Sequence, residues 1–76
     1  MLARLILLMR YLLSKDEVKI SELLNDVGKY YPNKLELAGH LDFLESQNLI
    51  NICENKIKVF KDRLRMFLHV LGIDTS

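Results

Sequence analysis

The chain has 76 residues, 50% of them hydrophobic, and its 11 basic and 10 acidic residues leave a net charge of +1. This length fits one small domain, which we expect over residues 1–76, and the apolar content argues against disorder. A charge this balanced neither indicates nor excludes a nucleic-acid partner. The single cysteine, Cys53, cannot form a disulfide within the chain and indicates a reducing, cytoplasmic environment, where we expect it to fill a small apolar site in a strand.

The first predicted element is a helix over residues 2–14, which contains no Gly or Pro. Its core stripe, at helical spacing, consists of Leu5, Leu8, Met9 and Leu12. A second apolar side consists of Leu2, Ile6 and Leu13. Because Arg4 and Arg10 interrupt the apolar run, it is too short for a membrane span or for the core of a signal peptide. We therefore expect a structural helix in a cytoplasmic protein that does not contact a membrane.

A short strand and a second helix are predicted next. Residues 18–20 alternate between apolar and polar, as a half-buried strand does. Ser21 is a good N-cap for a helix over residues 22–29. The helix is followed by a turn at residues 30–32, because the residue before a proline avoids helical geometry.

The third predicted helix spans residues 34–47. Asn33 is its N-cap, and Glu36 stands three residues later, in a capping-box arrangement. Asn48 follows the helix, where the chain turns through a left-handed conformation that Gly and Asn favour. The core stripe of this helix consists of Leu37, Leu41 and Leu44.

The last third of the chain predicts a β-hairpin and a final helix. Strands are expected over residues 49–53 and 57–60, with Asn55 taking a positive φ in the turn between them. Asp62 then caps a helix over residues 63–71. Its predicted core residues are Leu64, Phe67, Leu68 and Leu71, and its second apolar side is Met66, Val70 and Ile73. The fold class is therefore mainly α with a small β-hairpin, in the order α-β-α-α-β-β-α.

The stretch over residues 40–50 carries a family resemblance. It reads H-L-D-F-L-E-S-Q-N-L-I and resembles the run H-L-x-x-L-E-x-x-G-L-I, which closes the recognition helix of MarR- and ArsR-type regulators, with Asn48 in place of the glycine. The resemblance implies a winged helix-turn-helix fold and a transcriptional regulator that binds double-stranded DNA as a homodimer. It also implies that the third helix enters the major groove, with the hairpin beside it.

Charge is distributed unevenly along this part of the chain. Residues 36–54 contain four acids and no Lys or Arg, whereas the basic residues cluster in residues 55–65. Acids on a groove-reading helix repel the phosphate backbone. The DNA-contact candidates at the third helix are therefore limited to Asn33, Lys34 and His40. Those on the hairpin and the start of the final helix are Lys56, Lys58, Lys61, Arg63 and Arg65.

An apolar patch is predicted on the outer side of the third helix. Leu35, Gly39 and Phe43 are spaced at four and lie opposite the core stripe. They form either a surface for another protein, or an internal contact in which Phe43 packs on the hairpin or the final helix and Leu35 closes the turn. The first possibility gives an alternative function, a protein-interaction module that is a small accessory subunit of a replication, transcription or transport assembly.

The terminal helices predict a second contact surface. Each has more apolar sides than a monomer needs, so we expect a homodimer or a larger protein partner through Leu2, Ile6, Leu13, Met66 and Val70. In the alternative, the two helices cover each other's second side within one chain.

Nothing in the sequence indicates catalysis. There is no Ser-His-Asp pattern and no glycine-rich phosphate loop, and the single Cys and two His cannot complete a zinc site unaided. We expect no enzymatic activity, no cofactor and no metal.

Overall fold

The computed structural model describes residues 2–73, with only the backbone at residue 2. In this part of the chain there are four α-helices, a short 3-10 helix and three strands. Their bounds, in chain order, are α1 (Leu2–Leu13), β1 (Glu17–Lys19), α2 (Ile20–Asp26), the 3-10 helix (Gly28–Tyr30), α3 (Lys34–Ser46), β2 (Ile50–Cys53), β3 (Lys56–Val59) and α4 (Lys61–Val70). The described chain is mainly helical with a small antiparallel sheet, as predicted.

The ends of α3 follow the sequence closely. The Asn33 side chain accepts a hydrogen bond from the Glu36 backbone N–H at 2.9 Å, which confirms the predicted N-cap. The Glu36 carboxylate binds Arg4 instead of completing a capping box. Asn48 has a φ of 60°, so it makes the predicted left-handed turn after the helix.

The starts of α2 and α4 differ from the prediction by two residues. Lys19 occupies the N-cap position of α2, so Ser21 lies in the first turn and does not cap it. Phe60 occupies the N-cap position of α4, and the Leu64 N–H donates to its carbonyl at 2.9 Å. Asp62 therefore also lies in a first turn. Its negative charge interacts favourably with the helix dipole there, but its side chain does not cap a backbone group.

The sheet has three strands in the order β1-β3-β2, with both neighbours antiparallel to the central β3. The hairpin of β2 and β3 is confirmed, and β1 extends it on the far side. The positive φ in the hairpin turn belongs to Glu54, at 57°, and the prediction for Asn55 was wrong. A two-residue loop in which only the first residue has a positive φ matches a type II′ turn.

The core lies between the helices and the inner side of the sheet. Its buried residues are Leu8, Met9, Leu12, Val18, Leu23, Val27, Tyr31, Leu37, Leu41, Leu44, Leu49, Ile50, Ile57, Val59, Leu64 and Leu68. The α3 stripe is confirmed in full, and Leu5 of the α1 stripe is half-buried. Cys53 is exposed, because it shares the outer side of β2 with Asn51, so its predicted place in an apolar site was wrong.

At the end of α4, the burial of two residues is the reverse of the prediction. Leu71, expected in the core, is 54% exposed, whereas Ile73 is half-buried against the core. Gly72, with a φ of 79°, reverses the chain, and the Ile73 N–H then donates to the Leu68 carbonyl at 3.0 Å. This glycine-terminated helix end folds the residue after the turn back onto the helix.

Candidate functional site

The outer side of α3 is apolar and open. Leu35 is 83% exposed, so it does not close the turn before the helix. A Cβ placed on Gly39 would meet no atom within 4 Å. Phe43 is 39% exposed, and its ring contacts Phe67 of α4, so the predicted internal contact of Phe43 with the final helix is also present. The predicted patch is therefore present on the surface.

The α3 patch continues onto α4. The Phe43 and Phe67 rings meet edge to face, with 6.2 Å between their centroids. Beyond this contact, Met66 is 63% exposed and Val70 is 76% exposed. The patch on α3 and these residues of α4 form one surface. We call it the α3–α4 apolar face and define it as Leu35, Gly39, Phe43, Met66, Phe67 and Val70.

An open groove of about 480 Å³ crosses this face between the end of α3 and α4. Its walls are mainly apolar, and it is lined by Gln47, Leu49, Asp62, Arg63, Met66, Phe67 and Val70. A guanidinium group at the edge of an apolar groove is a common element of protein interfaces.

The corresponding side of α1 is not available. Ile6 and Leu13 are half-buried and pack against the core. The side chain of Leu2 lies outside the described residues. The surface expected on both terminal helices is therefore found on α4, at Met66 and Val70.

The DNA-contact candidates at α3 are mostly engaged inside the chain. The Asn33 side chain caps α3, and the Nδ1 of His40 lies 2.7 Å from the Tyr31 hydroxyl. Tyr31 also donates to the Arg4 carbonyl at 3.1 Å. Because a carbonyl only accepts, both contacts are satisfied when His40 carries hydrogen on Nδ1 and donates to Tyr31. Lys34 is exposed, and so is Asn33, whose side-chain oxygen is used by the cap.

A polar clamp ties α1 to its neighbours. The Arg4 guanidinium donates twice to the Glu36 carboxylate, once at 3.0 Å, and this pairing lowers the pKa of Glu36 and raises the pKa of Arg4. Burial raises the pKa of Tyr31 to about 12. Tyr11 donates to Asp26 of α2 at 2.6 Å, and burial followed by this bond raises its pKa. This clamp, which consists of Arg4, Glu36, Tyr31, Tyr11 and Asp26, was not predicted. Its signal in the sequence was Arg4, because a charged residue within an apolar run indicates an ion-pair partner within the chain.

Three members of the basic cluster also have partners within the chain. The Lys61 ammonium lies 2.9 Å from the Asp16 carboxylate, and Arg65 lies 3.7 Å from Asp62. Arg63 donates to the Asn48 carbonyl at 3.3 Å and lies over the Phe60 ring. These contacts are solvent-exposed, so each is weak.

The outer side of the sheet carries the remaining positive charge. Lys56 and Lys58 alternate with buried residues on β3, so both point away from the core. Lys19 of β1 stands opposite Lys56, and Glu17 stands opposite Lys58. We call Lys19, Lys56 and Lys58 the lysine row. Lys19 was not among the predicted contacts, although its alternation with Val18 in the predicted strand placed it on this side.

Residues 2–73 contain neither a candidate metal site nor a candidate membrane span. No three His, Cys, Asp or Glu side chains come together there as a metal site would require. Within the same range, every helix is too short or too polar to cross a bilayer.

Comparison with models of protein families, with curated proteins and with solved structures finds no match to this chain. Its function therefore has to be inferred from its own geometry.

Proposed function

We propose that this chain is a winged helix domain that serves as a protein-interaction module, a small accessory subunit of a larger assembly. The winged helix assignment is supported by the element order and by the pairing of β1 with the hairpin. In such a fold α3 is the helix that a DNA-binding member inserts into the major groove.

The observation that carries the proposal is the chemistry of the outer side of α3. A helix that reads DNA carries polar side chains toward bases and phosphates. Here Leu35, Gly39 and Phe43 form an apolar row on the exposed side of α3, and the exposed charged residues on this helix are Lys34 in its first turn and Asp42 beside the row. This surface offers phosphate a single cation at its edge and is otherwise suited to an apolar partner.

Gly39 strengthens the case for a protein partner. A glycine in an exposed helix interior costs about 1 kcal/mol relative to alanine. The space around Gly39 is open, so no contact among the described residues requires its small size. A residue without a side chain in the middle of an apolar row lets another backbone approach closely.

Site-specific photocross-linking in the source cells tests the proposal. A benzophenone amino acid replaces Leu35, and a matched control carries it at Asn25, which is also exposed, on α2. We expect a discrete protein adduct from position 35 and none from position 25. The proposal is wrong if position 35 gives no protein adduct, or if both positions give the same adducts.

A second candidate function, binding of double-stranded DNA, is favoured by the lysine row. Lys56 and Lys58 are exposed, with Lys19 beside them, and ammonium groups in a row suit a phosphate backbone. Fluorescence polarisation with random duplex DNA at two salt concentrations tests this candidate. If it is correct, a double Lys56→Ala, Lys58→Ala variant lowers the salt slope by about one unit for each lysine–phosphate ion pair that the substitutions remove. Binding that does not respond to salt or to these substitutions excludes it.

A further inference from the structure

We infer that the partner on the α3–α4 apolar face is a second copy of this chain, related by a two-fold axis, so that α4 of each copy lies on α3 of the other. This inference rests on the proposed function, because it requires that the face binds protein. In a two-fold interface the same surface occurs on both sides, so each contact is made twice.

Charge complementarity between α3 and α4 supports a second copy. α3 contains three acids against one base, Lys34 in its first turn, and Asp42 is exposed beside the apolar row. α4, by contrast, contains three basic residues and one acid, Asp62. Both Asp62 and Arg63 line the groove, and Asp62 is paired with Arg65 at 3.7 Å. A helix that complements α3 is therefore apolar and basic, and α4 has both properties.

The complementarity also holds in the reverse direction. At Arg63 the groove matches an apolar helix with an acidic residue at its edge, as α3 has in Asp42 beside its apolar row. A different protein would have to present an acidic helix and a basic helix in the same spacing. A second copy presents both helices by symmetry. The acidic residue of each α3 then meets a basic residue of the other copy's α4, so there is none of the like-charge repulsion that weakens binding of a poorly matched partner.

The exposed rows of α3 and α4 are similar in length. The row from Leu35 to Phe43 rises over about 12 Å, and the row from Arg63 to Val70 rises over about 10 Å. Gly39 lies in the middle of the longer row and leaves open space there. A side chain such as Met66 or Val70 of the other copy, each mostly exposed, fits at this position.

Charge reversal with complementation tests the inference. Sedimentation equilibrium is run on the unmodified chain, on Asp42→Arg, on Arg63→Asp, and on an equimolar mixture of the two variants. We expect the unmodified chain to self-associate at about 0.1 mM, and each variant alone to associate about tenfold more weakly. In the mixture opposite charges face each other again, so association recovers. Lys58→Asp, the same kind of reversal on the sheet, is the control and leaves association unchanged.

Circular dichroism of each variant shows whether it folds, and these exposed substitutions leave the spectrum intact. The inference is overturned if the unmodified chain is monomeric at this concentration, or if folded variants fail to complement each other. The cross-link at position 35 separates the two proposals. An adduct of twice the chain mass supports a second copy, whereas an adduct with another protein overturns this inference and leaves the proposed function standing. The absence of any protein adduct at position 35 defeats both proposals.

Discussion

The two terminal helices are alike in sequence and different in the folded chain. Both carry a core stripe and a second apolar side, and both were expected to leave that second side open. In α1 the second side packs against the core through Ile6 and Leu13. In α4 it remains open, with Met66 and Val70 mostly exposed.

The number of neighbours explains the difference. α1 is bonded to α3 through Arg4, to α2 through Tyr11, and to the loop before α3 through Tyr31, and it also packs against α4. α4 packs against α1 and meets α3 through the Phe67 ring, and the side that carries Met66 and Val70 has no neighbour that buries it among the described residues. An excess of apolar residues on a helix therefore indicates an intermolecular surface only where the topology leaves that side uncovered.

The largest expected effect contrasts the two sides of α4. Leu68→Glu places an unpaired carboxylate in the core, where Leu68 is fully buried. The cost of several kcal/mol is comparable to the whole stability of a small domain, about 5 kcal/mol, so we expect this variant to unfold. Val70→Glu keeps its helix content and loses self-association. Circular dichroism and sedimentation of both variants measure this contrast, and equal unfolding would show that α4 has no open side.

A similar contrast is expected on α3. Leu41→Ala removes a core side chain and should lower the free energy of unfolding by about 2–5 kcal/mol. Leu35→Ala removes a side chain that is 83% exposed, so we expect a change within about 0.5 kcal/mol. Urea denaturation of both variants measures the difference. A near-neutral Leu41→Ala would place α3 in a different register.

Gly39→Ala should raise the free energy of unfolding, the opposite of the effect expected for Leu41→Ala. Because a Cβ meets open space at this position, alanine should stabilise the folded chain by about 0.5–1 kcal/mol in thermal or urea denaturation. The same change should weaken self-association by filling the space used by the second copy. Stabilisation without any weakening of association would mean that Gly39 does not lie at the point of closest approach.

The smallest effect concerns the clamp between α1 and α3. Arg4 holds the pKa of Glu36 below its ordinary value of 4.5, so the pair contributes stability above about pH 4.5 and loses it as the pH falls through the lower folded value. Glu36→Gln should therefore be less stable than the unmodified chain at pH 7, and the difference should shrink as the pH falls below the ordinary pKa of the carboxyl group. Thermal melts across this range measure it, and a constant difference would show that the carboxylate charge is not involved.

The helices and the hairpin were predictable because their signals are local. Caps and apolar spacing placed α3 within one residue at its end, and Asn48 turns the chain as its sequence position indicated. The turn residue was misassigned because the choice between Glu54 and Asn55 depends on the turn type, which the register of the strands sets.

The candidate site was predicted in part. The apolar row on α3 follows from spacing alone, and its exposed residues were identified correctly as a patch. Two contacts join residues that are separated in the chain: His40 with Tyr31, and Lys61 with Asp16. No local sequence pattern predicts such contacts. The position of Lys19 beside Lys56 required the pairing of β1 with β3, which the predicted hairpin did not include.

The most direct test of the account is a series of amide NMR spectra of the unmodified chain diluted from about 1 mM to about 20 µM, a range that spans weak self-association. Association through the α3–α4 apolar face predicts that shifts change with concentration at residues 35–43 and 63–70. The amides of α1 and of the sheet should stay constant. Changes confined to α1 or to the lysine row, or spectra that do not depend on concentration, would contradict the account.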